Sequence, residues 1–102
     1  MENKQFIYVL KPKPYYQTEA NWTAKDEEII ARHFKYLQDL LAEGKLILAG
    51  KTGGLDEHTF GIVIFEASSP GEAEKIMKND PAVAEGIMTA VLFPYKVAIM
   101  RK

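Results

Sequence analysis

Cysteine is absent from the 102 residues, which excludes disulfide cross-links, thiolate nucleophiles and cysteine-ligated zinc. An excess of charge of one sign is missing too: 13 Lys and Arg stand against 14 Asp and Glu, a formal net charge of -1. That balance gives no electrostatic footprint for nucleic acid or an anionic membrane. No apolar run reaches the roughly 20 residues that span a bilayer, and the start Met1-Glu2-Asn3-Lys4-Gln5 has no apolar signal core. The expectation is a cytoplasmic protein with no nucleic-acid partner and no membrane partner. Internal repeats and low-complexity stretches are also lacking. What is present is ordinary for a packed chain, 47% hydrophobic and 26% charged, outside the regime of disorder. This length accommodates one core, so residues 1–102 read as a single domain.

Gln5-Phe6-Ile7-Tyr8-Val9-Leu10 is β-branched and aromatic and is followed by Lys11-Pro12-Lys13-Pro14, the profile of a strand and its stop. A prolonged loop through Tyr15, Tyr16 and Trp22 follows, a lid or a packing flap. Thr23-Ala24-Lys25-Asp26 is a capping box with Asp in place of Glu, opening a helix that runs to Glu43 and ends at Gly44. Lys45–Gly50 and Thr59–Phe65 read as two strands of a hairpin around a glycine-containing turn. Ser69-Pro70-Gly71-Glu72 is a full capping box for a second helix, which must stop before Pro81. The apolar stretch from Gly86 to Met100 is strand-like but interrupted by Pro94, as suits an edge. The order β-α-β-β-α-β defines an α+β, ferredoxin-like fold: a four-stranded antiparallel sheet with two helices on one face.

Two helices cover one face, yet the strands are apolar on both. Phe6, Tyr8 and Leu10 oppose Ile7 and Val9; Phe60, Ile62 and Ile64 oppose Val63 and Phe65. A sheet with one wet face alternates apolar with polar. Each such side chain left in water forgoes on the order of 1.5–3 kcal/mol, and together they exceed the patch a monomer tolerates. The expected partner is a second copy, in a homodimer packed through the open sheet face.

On a wheel of roughly 100° per residue, Ile29, Ile30, His33, Phe34, Tyr36, Leu37, Leu40 and Leu41 of the first helix gather into one arc. His33 lies near its middle. An inward imidazole needs a partner, since an unsatisfied buried polar group costs about 1–3 kcal/mol. A main-chain carbonyl would serve; so would Asp80, which follows the second helix. Asp80-Pro81 is equally a cap and first-position pair for a short helix through Glu85. If Asp80 reaches His33, the carboxylate fixes the imidazole tautomer and leaves the other nitrogen to move a substrate proton.

His33-Phe34-Lys35-Tyr36-Leu37, then Leu40-Leu41-Ala42-Glu43-Gly44-Lys45-Leu46, Ala49-Gly50, Asn79-Asp80-Pro81 and Glu85-Gly86-Ile87, together resemble the YciI-like (YCII-related) domain family over nearly the whole chain. The resemblance implies a ferredoxin-like protomer in a dimeric α/β barrel, with a histidine and an aspartate lining the active site. By position these are His33 and Asp80. The enzymatic type known in the family, elimination of a halide from a hydroxylated ring, implies proton abstraction from a small-molecule ligand with no metal and no cofactor.

Other signals carry less. Gly50-Lys51-Thr52 lacks the first glycine of a phosphate loop, Lys45 standing in its place. Asp56-Glu57-His58 are adjacent and cannot converge on one metal. Lys11, Lys13, Tyr15 and Tyr16 make a weak funnel for single strands. Trp22 precedes the helix cap, either as a staple-like apolar contact or as a substrate-binding residue closing a pocket. An RNA-recognition module shares the strand order, and Ile7-Tyr8-Val9 and Phe60-Gly61 echo its signatures. His58, Thr59 and Ile62 stand where its basic, glycine and stacking residues belong. A cofactor-free monooxygenase or haem-handling protein, and a non-catalytic small-molecule-binding or regulatory dimer, complete the alternatives.

Overall fold

The computed structural model describes residues 4–101. Met1 to Asn3, part of the start read above for a signal, and Lys102 lie outside the described residues. The elements are β1 (Lys4–Pro12), α1 (Ala24–Ala42), β2 (Leu46–Lys51), β3 (Gly61–Ala67), α2 (Pro70–Asn79), α3 (Pro81–Ala84) and β4 (Met88–Pro94). Their sheet has the order β2-β3-β1-β4 and every pairing is antiparallel, the α+β ferredoxin-like arrangement read from the sequence. The loop before α1 folds into two 3-10 turns, Pro14–Tyr16 and Glu19–Asn21. Among the described residues no helix is long and apolar enough to cross a membrane.

One continuous core joins the helices to one sheet face. Phe6, Tyr8 and Leu10 of β1 and Val63, Phe65 and Ala67 of β3 pack with Leu37 and Leu40 of α1 and Ala73, Ile76 and Met77 of α2. The strand period of two puts those residues on a common side. On α1 the buried positions are Ile29, His33, Leu37 and Leu40 beside the cap residue Asp26, a narrower stripe than the wheel predicts. Phe34 and Leu41 are 54% and 58% exposed, because they fall on a flank that no described element covers.

Local details follow from what each backbone group must bond. β1 continues through Pro12, which pairs with Met88. The β1 to β3 ladder has already stopped at Leu10 and Gly61, so on that side no ladder bond is lost to the missing N–H. β3 begins at Gly61, two residues later than expected, because Thr59 and Phe60 are recruited by the turn. The Asp56 N–H donates to Thr59 Oγ1 at 2.9 Å and the Phe60 N–H to Thr52 Oγ1 at 3.0 Å.

The far side of the sheet carries no helix, and the segment after β4 covers part of it: the Val97 N–H donates to Gln5 Oε1 at 2.7 Å, and Ile64 on this face is buried. Ile7 lies between Ile64 and Phe93, and Val9 between Ile62 and Val91, with Leu48 beyond Ile64. Val91, Phe93 and Leu48 are 54%, 48% and 41% exposed. Both sheet faces are therefore apolar, as the strand sequences imply.

Candidate functional site

Asp80 occupies the junction of α2 and α3. The residue before a proline is kept out of the helical region, and Asp80 is extended, with φ -61° and ψ 123°. It thus ends one helix and caps the next, its Oδ1 accepting from the Ala82 N–H at 3.0 Å. The residue is completely buried. A carboxylate removed from water needs partners on both oxygens, and it has them: His33 Nδ1 lies 2.6 Å from Oδ1 and the Tyr8 hydroxyl donates to Oδ2 at 2.8 Å. The helix-cap and histidine-partner readings of Asp80 both hold, since two oxygens supply enough lone pairs for three donors.

His33 comes from the middle of α1, where the helical period points it at the α2–α3 junction. Because Asp80 Oδ1 accepts, Nδ1 carries the proton and Nε2 is the nitrogen left for other chemistry. Only 8% of the side chain is exposed. The Phe34 ring lies beside it at a centroid distance of 5.3 Å. Arg32 bridges to Glu85, just past α3, at 3.6 Å and, within α1, to Glu28 at 3.9 Å; both pairs are largely in solvent and worth little energy. Tyr36, one turn along α1, donates to the Ile76 carbonyl at 2.7 Å. Burial, then the charges of Asp80 and Glu43, push its hydroxyl up to about 12.

Tyr8 is the member of this cluster that sequence reasoning did not single out. Burial first, and the adjacent Asp80 charge second, raise its hydroxyl far above the ordinary tyrosine range, so it stays a donor. A signal was available: a hydroxyl on the helix-facing side of a central strand must find an acceptor.

The remaining candidates lie apart. Trp22 donates from Nε1 to the Tyr16 carbonyl at 2.8 Å and meets the Tyr16 ring edge-on at 5.6 Å, so these ties are to its own loop. The staple does not form, because the position it would pack on is Glu27. His58 is 85% exposed in a turn where its N–H donates to Asp56 Oδ1. Among the described residues no group of three or more His, Asp or Glu could hold a metal ion. Two hollows, of about 230 and 320 Å³, are lined respectively by Phe60 and Ile62 and by Gln5 and Glu66, among others. The first lies beside Ile62 on the helix-free sheet face and the second between that face and Val97, Ala98 and Met100 of the segment after β4; neither borders His33 or Asp80. Leu37, Leu40, Ala73, Ile76 and Met77 of the helices pack onto the sheet in the layer between them.

The strand order and the packing of both helices on one face define a ferredoxin-like α+β domain with a buried His and Asp contact. The sequence profile of the YCII-related domain matches residues 5–93, and the chain belongs to that family. Among solved structures it is similar to the 5-chloro-2-hydroxyhydroquinone dehydrochlorinase from Burkholderia phenoliruptrix AC1100 in complex with 2,5-dihydroxybenzoquinone. The two are 24% identical over 90% of this chain and 93% of that one, with a TM-score of 0.67, a likeness of fold. No curated protein matches the sequence significantly.

Proposed function

We propose that the protein is a proton-transfer enzyme of the lyase or isomerase type, independent of metal and cofactor, acting on a small hydroxylated ring. His33 Nε2 is the base and Asp80 its orienter. The observation that carries this is the 2.6 Å contact from Nδ1 to a fully buried carboxylate. That contact selects one tautomer and aims the second nitrogen. The structural neighbour, a 5-chloro-2-hydroxyhydroquinone dehydrochlorinase, supports the substrate class. Net loss of H⁺ and halide from such a ring needs a base and no oxidant.

The working form in this reading is a homodimer in which two open sheet faces meet as a dimeric α/β barrel. The apolar rows through Ile7 and Val9 support it. The cytoplasm is the proposed compartment.

One observation favours a second reading. The His33 side chain is only 8% exposed, which suits a structural His and Asp pair in a non-catalytic small-molecule-binding dimer. Chloride release from 5-chloro-2-hydroxyhydroquinone, and binding of 2,5-dihydroxybenzoquinone, separate the two readings when measured on the wild type and on His33→Gln. The enzymatic reading predicts release by the wild type and a loss of about 10²–10⁴-fold in the variant. Equal release by both proteins, or binding by both without release, contradicts it.

A further inference from the structure

The middle of the central strand carries a polar atom where packing alone asks for none. Tyr8 is paired with Val63 on one side and Leu92 on the other. Its ring meets Phe65 edge-on at 5.6 Å, and it is completely buried. Phenylalanine would fill that space with no hydroxyl to satisfy. The hydroxyl instead crosses from the sheet to the helix layer and donates to Asp80 Oδ2 at 2.8 Å. Asp80 is therefore gripped from three elements: β1 through Tyr8, α1 through His33, and the first turn of α3 through the Ala82 N–H. Turning the carboxylate about its Cβ–Cγ bond would disturb all three contacts.

We propose that Tyr8 is a positioning residue for His33: by holding Oδ2 it fixes the carboxylate plane and draws off part of its negative charge, and so sets how strongly the ring holds a proton at Nε2. The inference rests on the proposed role of His33 as the base. A donor on one carboxylate oxygen weakens the other as an acceptor, because the two share one charge. Removing it leaves more of that charge to the imidazole, which then takes its proton at higher pH.

The surroundings leave few competing causes. Charged and titratable groups on the surrounding elements include Tyr36 on α1, with its hydroxyl on the Ile76 carbonyl, Glu43, whose charge acts on Tyr36, and the surface bridges of Arg32 to Glu85 and Glu28. On the helix-facing side β1 and β3 otherwise present Phe6, Leu10, Val63, Phe65 and Ala67. Among these core residues of β1 and β3, Tyr8 is the one with a polar side-chain atom.

The test is an NMR titration of ring-labelled histidine in the wild type, Tyr8→Phe, Asp80→Asn and the double variant. No substrate is required, and the exposed His58 serves as an internal reference. We expect Tyr8→Phe to move the His33 titration to higher pH with His58 unmoved. In the Asp80→Asn background the same change should move nothing, because its route is gone. An unmoved His33 in Tyr8→Phe, with only a lower Tm, overturns the proposal and leaves Tyr8 as packing. Should Tyr8→Phe fail to fold, wild-type protein grown on 3-fluorotyrosine carries a stronger donor and must shift His33 the other way, to lower pH; no shift overturns the proposal equally. Absence of turnover in a protein that shows these shifts would count against the enzymatic reading and not against the control of His33 by Tyr8.

Discussion

Asp80 combines an extended backbone imposed by Pro81 with a buried side chain that three donors share. Its neighbour Tyr36 lends itself to a stability test. In the folded protein its hydroxyl is pushed from the ordinary 10.0 up to about 12, so the native state keeps a proton that the unfolded chain gives up. A raised value of this sign stabilises fully below pH 10 and is lost as pH climbs from there to about 12. Tyr8, raised further, acts in the same direction. Urea unfolding of the wild type should therefore lose stability across that window. Tyr36→Phe should be less stable at neutral pH, by about 1 kcal/mol for its hydrogen bond, yet fall less steeply above pH 10. Parallel curves for the two proteins would refute the assignment. His33 and Asp80 were both legible in the sequence, one from its place in an apolar arc, the other from the proline after it. Their contact was not, because 47 residues separate them and no local pattern measures a distance across the fold. Tyr8 was grouped with Phe6 and Leu10 on one side of β1 and counted with the apolar residues, since alternation registers which residues share a side and neither which side meets the helices nor what a hydroxyl meets.

The elements were most legible where a side chain bonds its own helix end. Thr23 and Asp26 form the reciprocal box that their spacing implies, with Asp26 Oδ2 accepting from the Thr23 N–H and Thr23 Oγ1 from the Asp26 N–H. The box at α2 is different. Ser69 Oγ accepts from the Glu72 N–H as expected, but the Glu72 carboxylate turns to the Ser68 N–H and hydroxyl. Those bonds, the main-chain one foremost, hold the Glu72 carboxyl below its usual range. The pattern of residues specifies that a carboxylate lies within reach, and either of two serines can receive it. The two-residue offset of β3 has a similar origin: Thr59 and Phe60 carry strand propensity, but hydrogen bonds with Asp56 and Thr52 hold them in the turn. The irregularity between Leu46 and Leu48 on β2 left no sequence signal that we recognise. The one-turn α3, by contrast, follows directly from Asp80-Pro81.

At the scale of the whole molecule, the feature with most consequence is a sheet apolar on both sides with helices on one. Its legibility was high, because unbroken apolar character in β1 and β3 cannot be reconciled with a wet face. A homodimer through that face predicts sedimentation as a dimer at micromolar concentration. Val9→Lys, placed between Ile62 and Val91, should give a folded monomer. A monomeric wild type would count against the interface, and a dimeric Val9→Lys against its location. Where a small molecule would sit was the least legible point. The hollows beside Ile62 and beside Gln5 and Glu66 lie on the helix-free side of the sheet, whereas the buried His33 and Asp80 contact lies on the helix side. The most direct measurement is therefore an experimental structure of the protein with 2,5-dihydroxybenzoquinone bound. The account predicts a ring oxygen within hydrogen-bonding reach of His33 Nε2, about 2.6–3.2 Å, with Nδ1 still on Asp80. A quinone seated elsewhere, with Nε2 closed off by protein atoms, would contradict it.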